Sequence, residues 1–172
     1  MMALTSLNRA NAEEVRGETR IVPVTGCRAS SSEEKSYASK LATEVRSIEA
    51  MTEKLGKMTI NELVSHFAEI CVAEDEALLH EQYAKFNRLF TQMSAVGYEL
   101  IRRGRDARLE LQKLHRHPNL QVRLKAAKWS LGVNPVEARK VIQSIYDSKF
   151  PPQSGDAGMC LSNLDDGTFK PD

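Results

Sequence analysis

One segment in the second half of the chain constrains the fold more than any other feature. Residues 120–131 read LQVRLKAAKWSL, and Gly132 follows them. At helical spacing the segment carries two apolar stripes, one of Leu120, Leu124, Ala127 and Leu131 and the other of Val122, Ala126, Trp129 and Val133. A helix that is apolar on two sides packs on two sides. The segment therefore predicts an inner helix between two groups of other helices, in an all-α fold.

Helical periodicity also fills the region before this segment. Thr59 and Glu62 have the spacing of a capping box, and the stripe that follows is Ile60, Leu63, Phe67, Ile70 and Cys71. A polar break at residues 74–76 is expected to end this helix. The next helix is expected to bury Leu79, Tyr83, Phe86, Phe90, Met93 and Leu100. Gly97 lies on the same stripe, where the missing side chain would let another helix approach closely.

Further helices are predicted on either side of the two-sided segment. Asp106 is expected to cap a helix that buries Ala107, Leu111 and Leu114. Asn134 is expected to cap a later helix, with Pro135 at its first position and a buried face of Val136, Ala138, Val141, Ile142 and Ile145. In the tail, Met159, Leu161, Leu164 and Phe169 are spaced so that a short helix and an anchoring aromatic ring can fold back over the last helix pair.

The chain divides into three stretches by its apolar periodicity. Residues 1–32 show no sustained period and are predicted to be disordered or loosely attached. Residues 33–57 are predicted to form an accessory amphipathic helix, capped by Ser31 and Glu34, with a stripe of Tyr37, Leu41, Val45, Ile48 and Leu55. Residues 58–172 are predicted to form the helical domain, including its C-terminal cap.

Composition favours a cytoplasmic protein without a membrane segment. The formal net charge is +1, so whole-chain charge predicts no particular class of partner. Cys27, Cys71 and Cys160 form no CxxC pair, which favours a reducing compartment, and Cys71 falls on an apolar stripe. Charged residues interrupt the stretch before Cys27, where a signal peptide needs a continuous apolar run. No apolar run approaches the roughly 20 residues that span a bilayer.

The stretch from His117 to Gly132, followed by Pro135 and Ala138, resembles a HEAT repeat, in which a proline turn precedes Val-Arg and then small residues. More widely, residues 58–171 resemble a bacterial domain family of unknown function with HEAT-like helices. The matching stretches are residues 59–70, 76–78, 84–89, the HEAT-like segment and residues 155–171. The resemblance implies a short HEAT-like antiparallel helical-repeat array with a C-terminal capping segment, and it implies no established activity.

No arrangement of residues predicts catalysis, a metal site or a cofactor. The histidines are His66, His80, His115 and His117, and the Glu-x-x-His spacing of di-metal helical bundles does not occur. Surface positions are the favoured interpretation of these histidines. Asp147, Asp165 and Asp166 are better explained as turn or helix-end residues than as an acid–base pair. The motifs of nucleophile elbows and phosphate-binding loops are also missing.

Charge is unevenly distributed along the helical domain. Residues 58–84 contain no lysine or arginine, whereas six acidic residues occur there. A basic segment follows, and its candidate binding residues are Arg102, Arg103, Arg105, Arg108, Arg123, Lys125 and Lys128. Aligned along one face, these cations would form a stripe that neutralises phosphates. Pairing inside the protein with the acidic helix, or simple solvation, is the favoured alternative.

These features predict a non-enzymatic helical-repeat module that binds another protein, in a regulatory or toxin-neutralising role. Short helical arrays offer extended binding surfaces and few catalytic groups. The alternative is a nucleic-acid-binding protein that uses the basic stripe from Arg102 to Lys128. A HEAT-like DNA glycosylase is a remote alternative, since such an enzyme needs aromatic residues around a flipped base and a buried carboxylate. The partner and the oligomeric state are left open.

Overall fold

The described part of the chain is built from seven α-helices and one 3-10 helix, and it contains no strand. This computed structural model describes residues 36, 39, 43, 46 and 49–171. Residues 36 and 39 belong to a separate unit of the chain, so the fold below is that of residues 43–171. The predicted all-α class is confirmed. The disorder predicted for residues 1–32 and most of the stripe predicted for residues 33–57 lie outside the described residues.

The helices follow one another with short connections. Their bounds are α1 at residues 49–57, α2 Ile60–Leu79, α3 Tyr83–Arg102, α4 Arg105–Leu109, the 3-10 helix Glu110–Arg116, α5 Leu120–Ser130, α6 Pro135–Asp147 and α7 Gln153–Asp165. Helix α2 packs on α3, α5 packs on the 3-10 helix, on α6 and on α2, and α6 packs on α7. A HEAT-like repeat arrangement with a C-terminal cap stays a prediction, as do the domain boundaries at residues 32 and 57.

Helix α5 is the wall shared by two hydrophobic clusters. Val122 and Ala126 belong to a cluster formed with α1 to α4 and the 3-10 helix, and Trp129 packs against it. Leu124, Ala127 and Leu131 belong to a second cluster with α6 and α7. The two apolar stripes therefore face different cores. The prediction of an inner helix packed on both sides is confirmed.

Two predicted helix starts are confirmed in their hydrogen bonds. The amide of Glu62 donates to Thr59 Oγ1 at 3.3 Å, and the Thr59 amide donates to Glu62 Oε2 at 2.7 Å, which completes a capping box at the start of α2. Asn134 accepts from the amide of Glu137 at 3.4 Å and caps α6, with Pro135 at the first position. Local spacing was sufficient here because each cap involves residues within three positions.

The polar break predicted at residues 74–76 is wrong. Helix α2 runs unbroken to Leu79, because Glu74 is wholly buried against another helix instead of being solvated. The chain turns at residues 80–82, and α3 begins only at Tyr83. Leu79 and Tyr83 consequently flank a turn instead of sharing one buried stripe. Both side chains are mostly exposed, at 80% and 64%.

Several smaller predictions also fail at helix ends and on exposed faces. Asp106 lies inside the first turn of α4, and Gly104 occupies the cap position. Ala107, Leu111 and Leu114 are buried as predicted, but a short α-helix and a 3-10 helix carry them. Phe90 and Val136, which were predicted to be buried, are exposed, and so is Met159 of the tail. Apolar spacing alone does not show which part of a stripe a neighbouring helix covers.

The end of α1 is held by a contact from α3. Leu55 is buried in the first cluster, and Arg103 donates from its Nη2 to the carbonyl oxygens of Leu55 at 2.8 Å and Gly56 at 3.1 Å. Its Nη1 donates to the carbonyl oxygen of Met58. A cation at the carboxyl end of a helix satisfies carbonyls that lack partners within the helix. Arg103 therefore stabilises the last turn of α1.

None of the helices in the described ranges is long and apolar enough to cross a membrane. Cys71 is buried in the first cluster, as its place on an apolar stripe predicted, and Cys160 is buried in the second. Burial raises the pKa of both thiols above the ordinary value. Both therefore behave as small apolar side chains at neutral pH.

Candidate functional site

The first part of the basic segment surrounds one buried carboxylate. Glu99 accepts from Arg102 Nε at 2.8 Å and from Arg103 Nε at 2.7 Å, and its side chain is only 4% exposed. Hydrogen bonds from Arg102, followed by those from Arg103, lower the pKa of Glu99 to about 2 against the opposing effect of burial. Arg102 is mostly exposed, while Arg103 points inward to the end of α1. These residues form a structural ion-pair group.

The middle of the basic segment contacts the main chain of α5 and the residues after it. Arg105 Nη2 donates to the carbonyl oxygen of Val133 at 3.0 Å, and Arg108 Nε donates to that of Trp129 at 2.6 Å. Arg108 is buried, and so is the Nε of Arg123, which has no hydrogen-bond partner among the described residues. Arg105 and Arg108 therefore satisfy carbonyls near the end of α5. Their hydrogen bonds therefore link α4 to the end of α5 and the residues after it.

Two lysines of α5 share a carboxylate of α7. Lys128 Nζ lies 2.7 Å from Asp156 Oδ1, and Lys125 Nζ lies 3.8 Å from Asp156 Oδ2. Lys125 is only 8% exposed, and its ammonium sits 5.4 Å from the centre of the Phe90 ring. The seven candidate cations are therefore divided among three locations, and several face the interior. Their role as a binding surface stays a prediction.

A cavity of about 280 Å³ lies beside Lys125, between α3, α5 and the tail. Four aromatic residues line it, namely Phe90, Tyr98, Trp129 and Phe169. Four cationic residues also line it, namely Arg108, Lys125, Lys128 and Lys170. Within the described chain no acidic side chain belongs to this lining. The cavity is thus apolar in its walls and positive in its charge.

The wall of this cavity depends on a close approach of two helices. The Tyr98 and Trp129 rings meet edge to face with their centres 5.2 Å apart. A Cβ atom on Gly97 would lie 2.6 Å from the Trp129 ring, closer than carbon atoms can pack. The close approach predicted at Gly97 is confirmed. The absence of a side chain there positions Trp129.

A second concavity, of about 770 Å³, lies at the carboxyl end of α2. Its apolar rim contains Leu79, Tyr83 and Phe150, all more than half exposed, together with Pro151 and Pro152. Asp75 and Glu81 are the charged residues that line it, and both are acidic. We call this surface the apolar cleft. Clustered exposed apolar side chains with a polar rim are typical of protein interaction sites.

A buried polar network supports the floor of the apolar cleft. Gln121 Nε2 donates to Glu74 Oε2 at 3.1 Å, and Glu74 is fully buried. Asp75 accepts from Asn119 Nδ2 and from Gln153 Nε2, both at 2.7 Å. Helices α2, α5 and α7 are therefore linked by amide side chains. Glu74 Oε1 has no partner among the described residues.

Glu74→Gln is expected to stabilise the protein at pH 7 by about 1–2 kcal/mol, since a neutral amide costs less to bury than a carboxylate. Burial raises the pKa of Glu74, so the folded state holds this proton more tightly than the unfolded state. Stability is therefore lost as pH rises from the unfolded pKa through the folded one. Urea unfolding should show a difference at pH 7 that disappears in acid.

Glu76→Gln is the matched control for this prediction, because Glu76 is exposed on the same helix. It should leave the free energy of unfolding unchanged at both pH values. A Glu74→Gln protein less stable than the wild type at pH 7 would show that the charge itself is needed.

The remaining groups of polar side chains are weaker candidates for a functional site. Within the described ranges, no group of three or more His, Cys, Asp or Glu side chains could hold a metal ion. His115 Nε2 lies 2.9 Å from Ser130 Oγ, and burial lowers the pKa of this histidine. Ser130 Oγ already donates to the main chain of α5. This pair therefore serves packing between the 3-10 helix and α5.

Sequence reasoning missed both concavities. Leu79, Tyr83 and Phe90 were assigned to the core, which concealed their exposure. Glu99 was also missed, although its spacing of three and four residues from Arg102 and Arg103 is the usual signal of helical ion pairs. The tail was predicted to fold back over the last helix pair, but no local signal indicated that Phe169 would reach Phe90 on α3.

Comparison with known proteins finds two similarities. A family model described as "Domain of unknown function (DUF2019)" matches residues 61–165. The crystal structure of the protein RPA1889 from Rhodopseudomonas palustris CGA009 is similar to this structure, with a TM-score of 0.67. The two sequences are 52% identical, and the match covers 69% of this chain and 98% of that chain. No curated protein matches the chain. The family match extends from the first turn of α2 to the end of α7, and neither description states an activity.

Proposed function

From the premise that this chain belongs to the family described as Domain of unknown function (DUF2019), we propose that it is a non-enzymatic module that binds another protein. The resemblance to a bacterial domain family of unknown function is confirmed by that membership and by the Rhodopseudomonas structure. The observation that carries the proposal is the apolar cleft. A regulatory role in the cytoplasm, including neutralisation of a toxin, is compatible with such a surface.

The composition of the cleft suits a protein segment. Leu79 is 80% exposed, and Tyr83 and Phe150 expose more than half of their surface beside it. Such side chains gain free energy when a partner covers them, at roughly 25 cal/mol per Å² of apolar area. The cavity between them can accept one apolar anchor side chain, which is how binding energy concentrates in protein interfaces.

Charge narrows the class of partner. Asp75 and Glu81 line the cleft, and Glu76 is exposed one turn before His80 on α2. The amides of Asn119 and Gln153 hold Asp75, whereas Glu81 is exposed and available. A partner segment with an apolar anchor flanked by lysine or arginine would complement this surface.

Partner capture with matched variants tests the proposal. Wild-type protein and Val136→Asn should retain the same partner in near-stoichiometric amount, because Val136 is equally apolar and 63% exposed but lies on α6. Leu79→Asn combined with Tyr83→Asn should lose it, and Glu81→Gln should weaken it mainly at low salt. All of these changes are on the surface and should alter stability little.

Three outcomes would overturn the proposal. The first is a partner that all variants retain equally, and the second is no stoichiometric partner at all. The third is self-association in light scattering that Leu79→Asn abolishes, since the occupant of the cleft would then be a second copy of this chain. Both measurements use the full chain.

Nucleic-acid binding by the basic segment is the weaker alternative. Arg103, Arg105 and Arg108 donate to main-chain carbonyls, so reaching a phosphate would require breaking those contacts. Binding of this kind should weaken steeply with salt, and an Arg105→Gln change should flatten the slope. A DNA glycosylase activity stays the remote alternative. Such an enzyme needs a buried carboxylate, and no acidic side chain of the described residues lines the aromatic cavity.

A further inference from the structure

We propose that the cavity between α3, α5 and the tail binds a small organic anion that carries one aromatic ring. This site is separate from the apolar cleft, and the proposal does not depend on protein binding there. It rests on three observations, which are an ammonium that faces the cavity without a hydrogen-bond partner among the described residues, an aromatic wall and a volume that matches one ring.

The ammonium of Lys125 is the centre of the argument. Lys125 is 8% exposed, its ion pair with Asp156 is long at 3.8 Å, and the buried Glu74 also attracts it. Its Nζ donates no hydrogen bond to any described group, although an ammonium has three donors. Lys125 Nζ is not among the fully buried atoms that lack a partner, so the ammonium is open to the cavity, where water or a ligand can accept its hydrogen bonds. An anion in the cavity would satisfy Lys125.

Charge counting around the cavity also favours an anion. Lys125 and Lys128 share Asp156, and the buried Glu74 also attracts Lys125, so these two lysines already have acidic neighbours outside the lining. Lys170 of the tail adds another cation to the lining. Because the described lining contains no acidic residue, a bound anion would meet attraction without nearby repulsion.

The walls specify the rest of the ligand. The rings of Phe90, Tyr98, Trp129 and Phe169 face a space of about 280 Å³. Aromatic faces and edges bind a planar ring more favourably than a flexible aliphatic chain. The volume lies just below the usual range of ligand sites, about 300–1,000 Å³, and suits one ring with one acidic group. A carboxylate and a phosphate monoester share this chemistry.

The tail forms one wall of the site. Its return is held where the amide of Phe169 donates to the carbonyl oxygen of Asn163 at 2.8 Å. Gly167, with φ +74°, makes the turn that brings Phe169 back. The tail therefore contributes Phe169 and Lys170 to the cavity without belonging to a helix.

Trp129 provides the measurement, because it is the chain's only tryptophan and lines the cavity. The full chain is titrated with benzoate and with phenyl phosphate while Trp129 fluorescence is followed, and calorimetry gives the affinity. We expect a Kd below about 1 mM for at least one of them, as befits a one-ring ligand. Benzamide tests the need for charge, and acetate tests the need for a ring. Both should bind at least about tenfold more weakly.

Three variants locate the binding. Lys125→Met removes the ammonium and keeps most of the stem, so it should weaken the anion by about tenfold or more and leave benzamide unchanged. Phe169→Ala lies outside the helices and should weaken every ring ligand without unfolding the protein. Lys140→Met is the control, because Lys140 is exposed on α6 and pairs with Glu137.

The result decides the proposal in each case. Preference for benzoate identifies a carboxylate, and preference for phenyl phosphate identifies a phosphate monoester. The proposal is overturned if neither changes Trp129 fluorescence at several times the expected Kd, if benzamide or acetate binds as well, or if Phe169→Ala binds like the wild type. If circular dichroism shows that Lys125→Met has lost its helices, the comparisons with Phe169→Ala and with benzamide still test the proposal.

Discussion

Gly97→Ala is expected to destabilise the protein by about 2–3 kcal/mol, against the usual gain for alanine in a helix. A new Cβ would lie 2.6 Å from the Trp129 ring, and a rigid aromatic ring cannot change its shape to relieve this clash. Trp129 is also held at its carbonyl oxygen by Arg108 Nε at 2.6 Å, so α3 and α5 must separate. Urea unfolding measures the loss, and Trp129 fluorescence should shift as the ring is displaced.

Gly155→Ala is the matched control for this prediction. Gly155 lies in α7, and a Cβ there would have no neighbour within 4 Å. Alanine at this position should therefore stabilise by up to about 1 kcal/mol. Trp129→Leu placed in the Gly97→Ala background should recover part of the loss, because the clash and the ring are coupled. Equal stability of Gly97→Ala and wild type would mean that the helices are not in this contact.

Glu99→Gln is expected to destabilise the protein at pH 7 by about 2 kcal/mol, since a charged acceptor for two arginines becomes a neutral one. The pKa of Glu99 is lowered to about 2 in the folded protein. Its contribution is therefore fully present above the unfolded pKa of about 4.3 and is lost as the pH falls to about 2. Urea unfolding from pH 7 to pH 2 should show the difference between the two proteins shrinking in that window.

The magnitude reflects a compromise between two neighbours of Glu99. Arg103 is largely buried and donates to three main-chain carbonyls at the end of α1 and just after it, whereas Arg102 is mostly exposed and its contribution is screened by solvent. Glu137→Gln is the control, because Glu137 and Lys140 form an exposed pair at the same three-residue spacing. It should show no comparable loss. A Glu99→Gln protein that loses stability equally at every pH would show that packing, and not charge, is responsible.

Predictions from sequence succeeded where the physical cause is local. The two stripes of α5 were assigned to two sides, and the structure places Ala126 in one core and Ala127 in the other. Helical geometry alone separates such neighbours by about 100°, so their faces are known before any partner helix is identified. The capping box of Thr59 and Glu62, the Asn134 cap and the glycine on the α3 stripe are equally local features.

Predictions failed where distant groups decide the outcome. Glu74 looked like part of a helix break because three acidic residues occur in sequence, yet Gln121 of another helix accommodates it in the interior. The role of the basic segment as a binding surface stays a prediction, but it too depends on distant groups, because Arg103 donates to carbonyl groups 45 to 48 residues earlier in the chain. In both cases the sequence contains the donors and acceptors but no indication of how they pair.

The chain's apolar and capping patterns by themselves determined an all-helical domain with α5 between two cores, because periodicity and caps act over a single turn of helix. Only the tertiary structure decided which cations form hydrogen bonds inside the protein and which apolar residues stay exposed in the cleft. It also decided that Phe169 lies beside Phe90 and Trp129. Those outcomes depend on where whole helices come to lie, and helix positions follow from the sum of many weak contacts between residues far apart in sequence.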